Sequence, residues 1–208
     1  MSYLLKRRFP ISIQHLLIPC FVIILSLLAF IFENQTIDLL VYQRSAITNG
    51  EYWRLFTGHF FHTNKYHLML NLAGLTMLWA LHGEFYTIKN YSLLFLVSAL
   101  TCSLGLYFFS PDLHQYVGLS GVLHGIFVWG ALMDIKQKDK TGYLLFIGVW
   151  LKIAHEQIYG ASSDVSTLIA ANVAVDAHLW GAIGGLIFSL LYFYRLQKTN
   201  MLNSPKYL

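Results

Sequence analysis

Ser120 sits in the stretch YVGLSGVLHG, flanked by Gly118 and Gly121, with Gly125 and His124 a turn further on. His178 opens a second stretch, AHLWGAIGG. Gly181 and Gly185 follow it at three and seven residues, so one helical stripe carries an imidazole and then two positions with no side chain. A third stretch, YHLMLNLAGL, places His67 and Asn71 four apart, on one face of a helix. In a fourth, WLKIAHEQIY, Lys152 and Glu156 form an i,i+4 pair beside His155. A serine hydroxyl that meets an imidazole has the parts of a nucleophile and its general base. Side-chain N–H groups aimed at one point can stabilise negative charge on a carbonyl oxygen. HEQIY fails the HExxH zinc pattern, because Tyr159 occupies the second histidine's place. The reading calls for no metal and no cofactor.

The elements that must position these groups are membrane spans. Of the 208 residues 56% are hydrophobic and 12% charged, where a soluble domain carries about 25% charged residues. Apolar segments of the length needed to cross a bilayer fall near 14–32, 66–82, 91–109, 119–135, 143–158 and 174–194. The expected fold is an all-α bundle of six transmembrane helices forming one domain over 1–208. Polar side chains inside such segments are costly in lipid and are functional hypotheses by default. Cys20 and Cys102 fall inside apolar segments without metal-ligand spacing and read as packing residues.

The net charge of +4 does not point to nucleic acid, because of where the charges sit. Lys6, Arg7, Arg8, Lys89, Lys136, Lys138, Lys140, Arg195, Lys198 and Lys206 all fall on one face of the six-segment layout. The positive-inside rule then puts both termini in the cytoplasm and the loops 33–65, 110–118 and 159–173 outside. No small-x-small cleavage site precedes Glu33, so the first segment is expected to be retained. The long loop 33–65 ends in GEYWRLFTGHFFHTNKYH, whose density of aromatics suits an ordered segment seated partly in the membrane interface.

Small residues let membrane helices approach closely. Gly121 and Gly125 on the fourth segment can therefore receive the Gly181 to Gly185 face of the sixth. Both segments run inward from the outer face, which brings Ser120 and His178 to the same outer end. Asp176, two residues from His178, lies on another helix face and reads as an interfacial carboxylate. His59, His62 and His82 read as interfacial or loop residues, with His62 placed to order the first loop. Lys152 and Glu156 read as neutralising each other inside the bundle, with a direct part in substrate binding as the alternative.

GLSG, the later AHxxGxxxG and the earlier HxxxN, in that order, resemble the pattern of the rhomboid intramembrane serine proteases, over about Thr48 to Leu191. GLSGVLHG with WLKI, the glutamate nearby and VAVDAHLWGAIGGL is most similar to the rhombosortase branch. The resemblance implies Ser120 as nucleophile and His178 as general base, in a dyad without a third carboxylate. It implies an oxyanion hole from His67, Asn71 and the Ser120 backbone N–H. His124 stands where the family often carries an aromatic stacked beneath the catalytic histidine; an imidazole can stack there, and it can also compete for the serine proton. The implied partners are the lipid bilayer and exported, membrane-anchored proteins whose C-terminal tail joins a glycine pair, an apolar helix and a basic cluster. The implied site is a bacterial inner membrane, with the chemistry toward its outer face. Two rivals stay open: an inactive relative that binds membrane proteins, and a small transporter using His67, His124, His178, Lys152 and Glu156 as a proton path. Both Ser120 and His178 are present, and no internal repeat of the transporter kind is visible.

Overall fold

The structure, a computed structural model, describes the backbone of residues 9–203 and the side chains of residues 9–199. The basic residues Lys6, Arg7, Arg8 and Lys206 lie outside the described residues. Six long helices dominate: α1 (Ile13–Ile31), α5 (Lys65–His82), α6 (Ile88–Phe109), α7 (Ser120–Lys136), α8 (Thr141–Tyr159) and α10 (Val175–Asn203). Four short ones, α2 (Glu33–Leu40), α3 (Arg44–Thr48), α4 (Arg54–Thr57) and α9 (Ser163–Ile169), lie in the connections. The two strands described, β1 (Tyr42–Gln43) and β2 (Gln115–Tyr116), are two residues long and pair antiparallel, Tyr42 opposite Tyr116.

The protein is an all-α membrane protein. Among the described residues, α1, α6 and the Val175–Thr199 part of α10 are long and apolar enough to cross a membrane. Helices α5, α7 and α8 have 18, 17 and 19 residues, and each carries polar side chains among its apolar ones: His67 and Asn71, Ser120 and His124, Lys152 and Glu156. Helix α7 is central, with Lys136 its one exposed residue, whereas α5 exposes Met69, Leu70, Met77 and Leu81. On α8, Leu144, Leu151 and Ile158, seven residues apart, are all exposed, and so are Lys152 and His155.

Local signals set the helix starts. The Asn64 side chain accepts from the His67 N–H at 2.9 Å and so caps α5, while its amide nitrogen donates to Leu168 O at 3.0 Å and ties that cap to α9. The Thr87 hydroxyl caps α6 by accepting from Asn90 N–H at 3.2 Å. The first loop is ordered by two arginines to which the sequence reading gave no role. Arg44 donates to the carbonyls of Leu106, Tyr107, Ser110 and Leu113, satisfying the open C-terminal end of α6. Arg54 is buried and donates to Val41 O, Asp38 O and the Glu51 carboxylate.

The most extensive helix contact is between α7 and α10. A Cβ at Gly181 would overlap the carbonyl oxygen of Gly121, and one at Gly185 would overlap that of Gly125. The two backbones therefore touch, with no side chain between them. Around this seam, Val122, Leu123, Ile126, Trp129 and Phe188 belong to the main core with Leu75, Leu94 and Tyr91.

Candidate active site

Gly118 and the start of α7 shape the site. The backbone at Gly118 has φ +117°, in the region that favours glycine, and a Cβ there would come within 2.8 Å of the His67 ring. Tyr116 donates its hydroxyl to Gly118 O at 2.8 Å, which holds the turn. Ser120 is then the first residue of α7, half-buried, at the end where the helix exposes unpaired N–H groups and a partial positive charge.

His178 lies in the first turn of α10, which the glycine seam presses against α7. Its Nε2 is 3.1 Å from the Ser120 hydroxyl, at hydrogen-bond distance for a base and its nucleophile. The ring of His124 stacks on that of His178, centroids 4.1 Å apart and planes 19° from parallel. Its Nδ1 donates to the Ser120 carbonyl at 2.8 Å, so the hydrogen bond between these residues goes to the backbone and leaves the hydroxyl to His178.

The other nitrogen of His178 has a partner that the resemblance did not imply. Nδ1 is 2.8 Å from Glu156 Oε2, and Lys152 Nζ is 2.7 Å from Glu156 Oε1. The Lys152–Glu156 pair thus exists, but neutralising each other is only half of its geometry, because the second carboxylate oxygen is spent on the imidazole. Asp176 stays away from the ring and accepts from the Ser110 hydroxyl at 2.6 Å.

His67 and Asn71 are both buried on α5, next to the Gly118 turn. The Thr63 N–H donates to His67 Nδ1 at 3.4 Å, and since an N–H can only donate, the ring proton sits on Nε2, the nitrogen that faces Gly118. Asn71 Nδ2 spends one N–H on the His67 carbonyl at 3.0 Å. Its other N–H remains as a donor.

His59, His62 and His82 are more buried than loop or interface positions would be. His59 is fully buried and its Nε2 reaches Ala99 O and the Ser103 hydroxyl, each at 3.0 Å, joining the first loop to α6. His62 packs edge-on to His67 at 5.0 Å. Burial lowers the pKa of His59 to about 4 and, with His67 adding to it, that of His62 to about 3. His82 corrects the expectation most clearly: it is fully buried in the bundle, with Nε2 3.2 Å from Asp134 Oδ2.

Two cavities meet at Ser120. One, of about 440 Å³, is lined by Glu33, His62, Thr63, Gln115 and Val117, residues of the loops and the ends they join. The other, of about 580 Å³, runs between α5 and α8 past Leu70, Met77, Leu81, Phe127 and Val165 and is mostly apolar. Ser120, His67, Ile169 and Val173 line both. The only groups among the described residues with metal-ligand proximity are His124, Glu156 and His178, whose ligand atoms lie within 4.8 Å of one another. Their geometry does not suit an ion, which binds in the plane of an imidazole: two stacked rings have no plane in common.

The family's sequence profile, a Rhomboid domain, matches residues 49–195. The chain belongs to the rhomboid family. It is 28% identical over 143 residues to the rhomboid protease GluP of Bacillus subtilis (strain 168), covering 69% of this chain and 26% of that protein, so it spans about a quarter of that relative's length. Over 199 residues it is 22% identical to YdcA of the same strain, covering 91% of this chain and 95% of YdcA.

Proposed function

We propose that the protein is an intramembrane serine protease in which Ser120 is the nucleophile and His178 the general base. The observation that carries this reading is the 3.1 Å contact from Ser120 Oγ to His178 Nε2 at the point where the two cavities join. Ser120 Oγ attacks the substrate carbonyl while its proton passes to His178 Nε2, and the imidazolium then returns that proton to the departing amide nitrogen. Water resolves the acyl-enzyme by the same route in reverse. His67 Nε2–H, the second N–H of Asn71 and the Ser120 backbone N–H stabilise the oxyanion.

In this reading the six long helices all span the membrane, both termini are cytoplasmic, and the Ser120 end of α7 faces outward. The apolar cavity between α5 and α8 suits a transmembrane segment, and the other, edged by loop residues, suits the extended chain that emerges from it. A helix hides its carbonyls in internal hydrogen bonds, so the substrate carries helix-weakening residues at its outer end. The rhombosortase-like motifs narrow this to exported proteins of a bacterial inner membrane with a C-terminal tail of a glycine pair, an apolar helix and a basic cluster. The test compares membrane and secreted proteins from cells carrying the wild type or Ser120→Ala. Tailed precursors that accumulate only with Ser120→Ala support the reading; an unchanged set of protein termini refutes it.

A further inference from the structure

We propose that Glu156 is a positioning residue for His178, so that the site works as a Lys152-tethered Glu156–His178–Ser120 triad; this rests on the proteolytic reading above. Three features of the structure converge. Glu156 lies near the C-terminal end of α8, and Ser120 and His178 lie at the N-terminal ends of α7 and α10, so one end of the bundle holds all three. The contacts are in series: Lys152 Nζ to Glu156 Oε1 at 2.7 Å, Glu156 Oε2 to His178 Nδ1 at 2.8 Å, His178 Nε2 to Ser120 Oγ at 3.1 Å. The carboxylate is largely shielded, whereas the lysine is half exposed along the apolar cavity.

The chemistry follows from what each group can donate. An ionised carboxylate only accepts, so His178 must keep its proton on Nδ1. That leaves the Nε2 lone pair for the Ser120 proton. When Nε2 takes the proton, the imidazolium forms 2.8 Å from a negative charge already in place, and Glu156 remains ionised throughout. Lys152 holds the second carboxylate oxygen and fixes the direction of the first. The other titratable groups around His178 do not replace this function. His124 on α7 stacks on the ring and is committed to the Ser120 carbonyl, His67 on α5 belongs to the oxyanion side, and Cys102 on α6 faces the Ala177 carbonyl at 3.5 Å.

Glu156→Gln gives the sharpest test, because Lys152 dictates how the amide turns. Its oxygen stays with the ammonium, and its NH₂ then faces Nδ1, which forces the ring proton onto Nε2. The expected result, with purified enzyme in vesicles and a peptide carrying the processed tail, is a kcat lowered by up to about 10⁴-fold with KM little changed. Nitrogen NMR of labelled histidine should show the His178 proton moving from Nδ1 to Nε2. Lys152→Met keeps the carboxylate and should cost far less in kcat than Glu156→Gln. A wild-type kcat and an unchanged tautomer in Glu156→Gln, with Ser120→Ala inactive, would overturn the triad and leave the protease reading standing. Equal losses in Lys152→Met and Glu156→Gln would also overturn it, since the ion pair itself would then be what matters. Loss of the proteolytic reading shows differently: Ser120→Ala would retain turnover.

Discussion

Two histidine–carboxylate pairs sit at opposite ends of α7. At one end His178 meets Glu156 at 2.8 Å; at the other His82 meets Asp134 at 3.2 Å. The residue types are alike, and their surroundings are not. His178 has a serine hydroxyl on its second nitrogen and lines the apolar cavity, while the other cavity reaches that serine. The second nitrogen of His82 has no hydrogen-bond partner among the described residues, because that side of the ring lies against the α7 backbone at Gly130, where even a Cβ would overlap it. A carboxylate beside an imidazole is thus a structural tie until a hydroxyl and an open path are added.

The largest effects should separate these two ends. Ser120→Ala and His178→Ala should each abolish turnover, and the double variant should be no worse than either, as expected for groups acting as a unit. His82→Ala should lower the melting temperature, while the folded fraction still reacts with a fluorophosphonate probe at Ser120. Loss of probe labelling in a normally folded His82→Ala protein would break the contrast.

His67→Ala and Asn71→Ala come next, each lowering kcat by about 10²–10³-fold with the fold intact. Full rates in both would reduce this pair to packing. Gly185→Val tests the seam that holds the reactive end together. Because a Cβ at Gly185 overlaps the Gly125 carbonyl, the helices must part, and a displacement of about 1 Å costs on the order of 10² in rate. Leu190→Val, on the exposed side of α10, should behave as wild type.

The smallest effect is a pH dependence of stability from the first loop. His59 and His62 have pKa values lowered by burial to about 4 and about 3, while in the unfolded chain each titrates near ~6.5. The unfolded state therefore binds more protons in this window, and stability, complete above about pH 6.5, should fall as pH drops toward 4. Melting temperatures measured across that range should show the slope, and His62→Gln should flatten it.

Much of this was legible along the chain, for local reasons. The family could be recognised from GLSG, HxxxN and AHxxGxxxG, because each motif fits within three helical turns. The apolar segments announced the long helices, since composition over about 20 residues is what hydrocarbon thickness selects. The pairing of β1 with β2, the insertion of α9 and the carbonyl clamp of Arg44 were not legible, because each joins parts of the chain far apart in sequence. Glu156 marks the boundary. Its spacing from Lys152 foretold the ion pair, an i,i+4 relation internal to α8. That its other oxygen reaches His178 depends on how α8 is rotated and tilted against α10. The same holds for His82, which reads as an interfacial residue until α7 is laid beside α5 and brings Asp134 to it. Sequence periodicity tells which residues share a face of one helix, whereas packing between helices decides which faces meet, and here that decided which histidine meets Ser120.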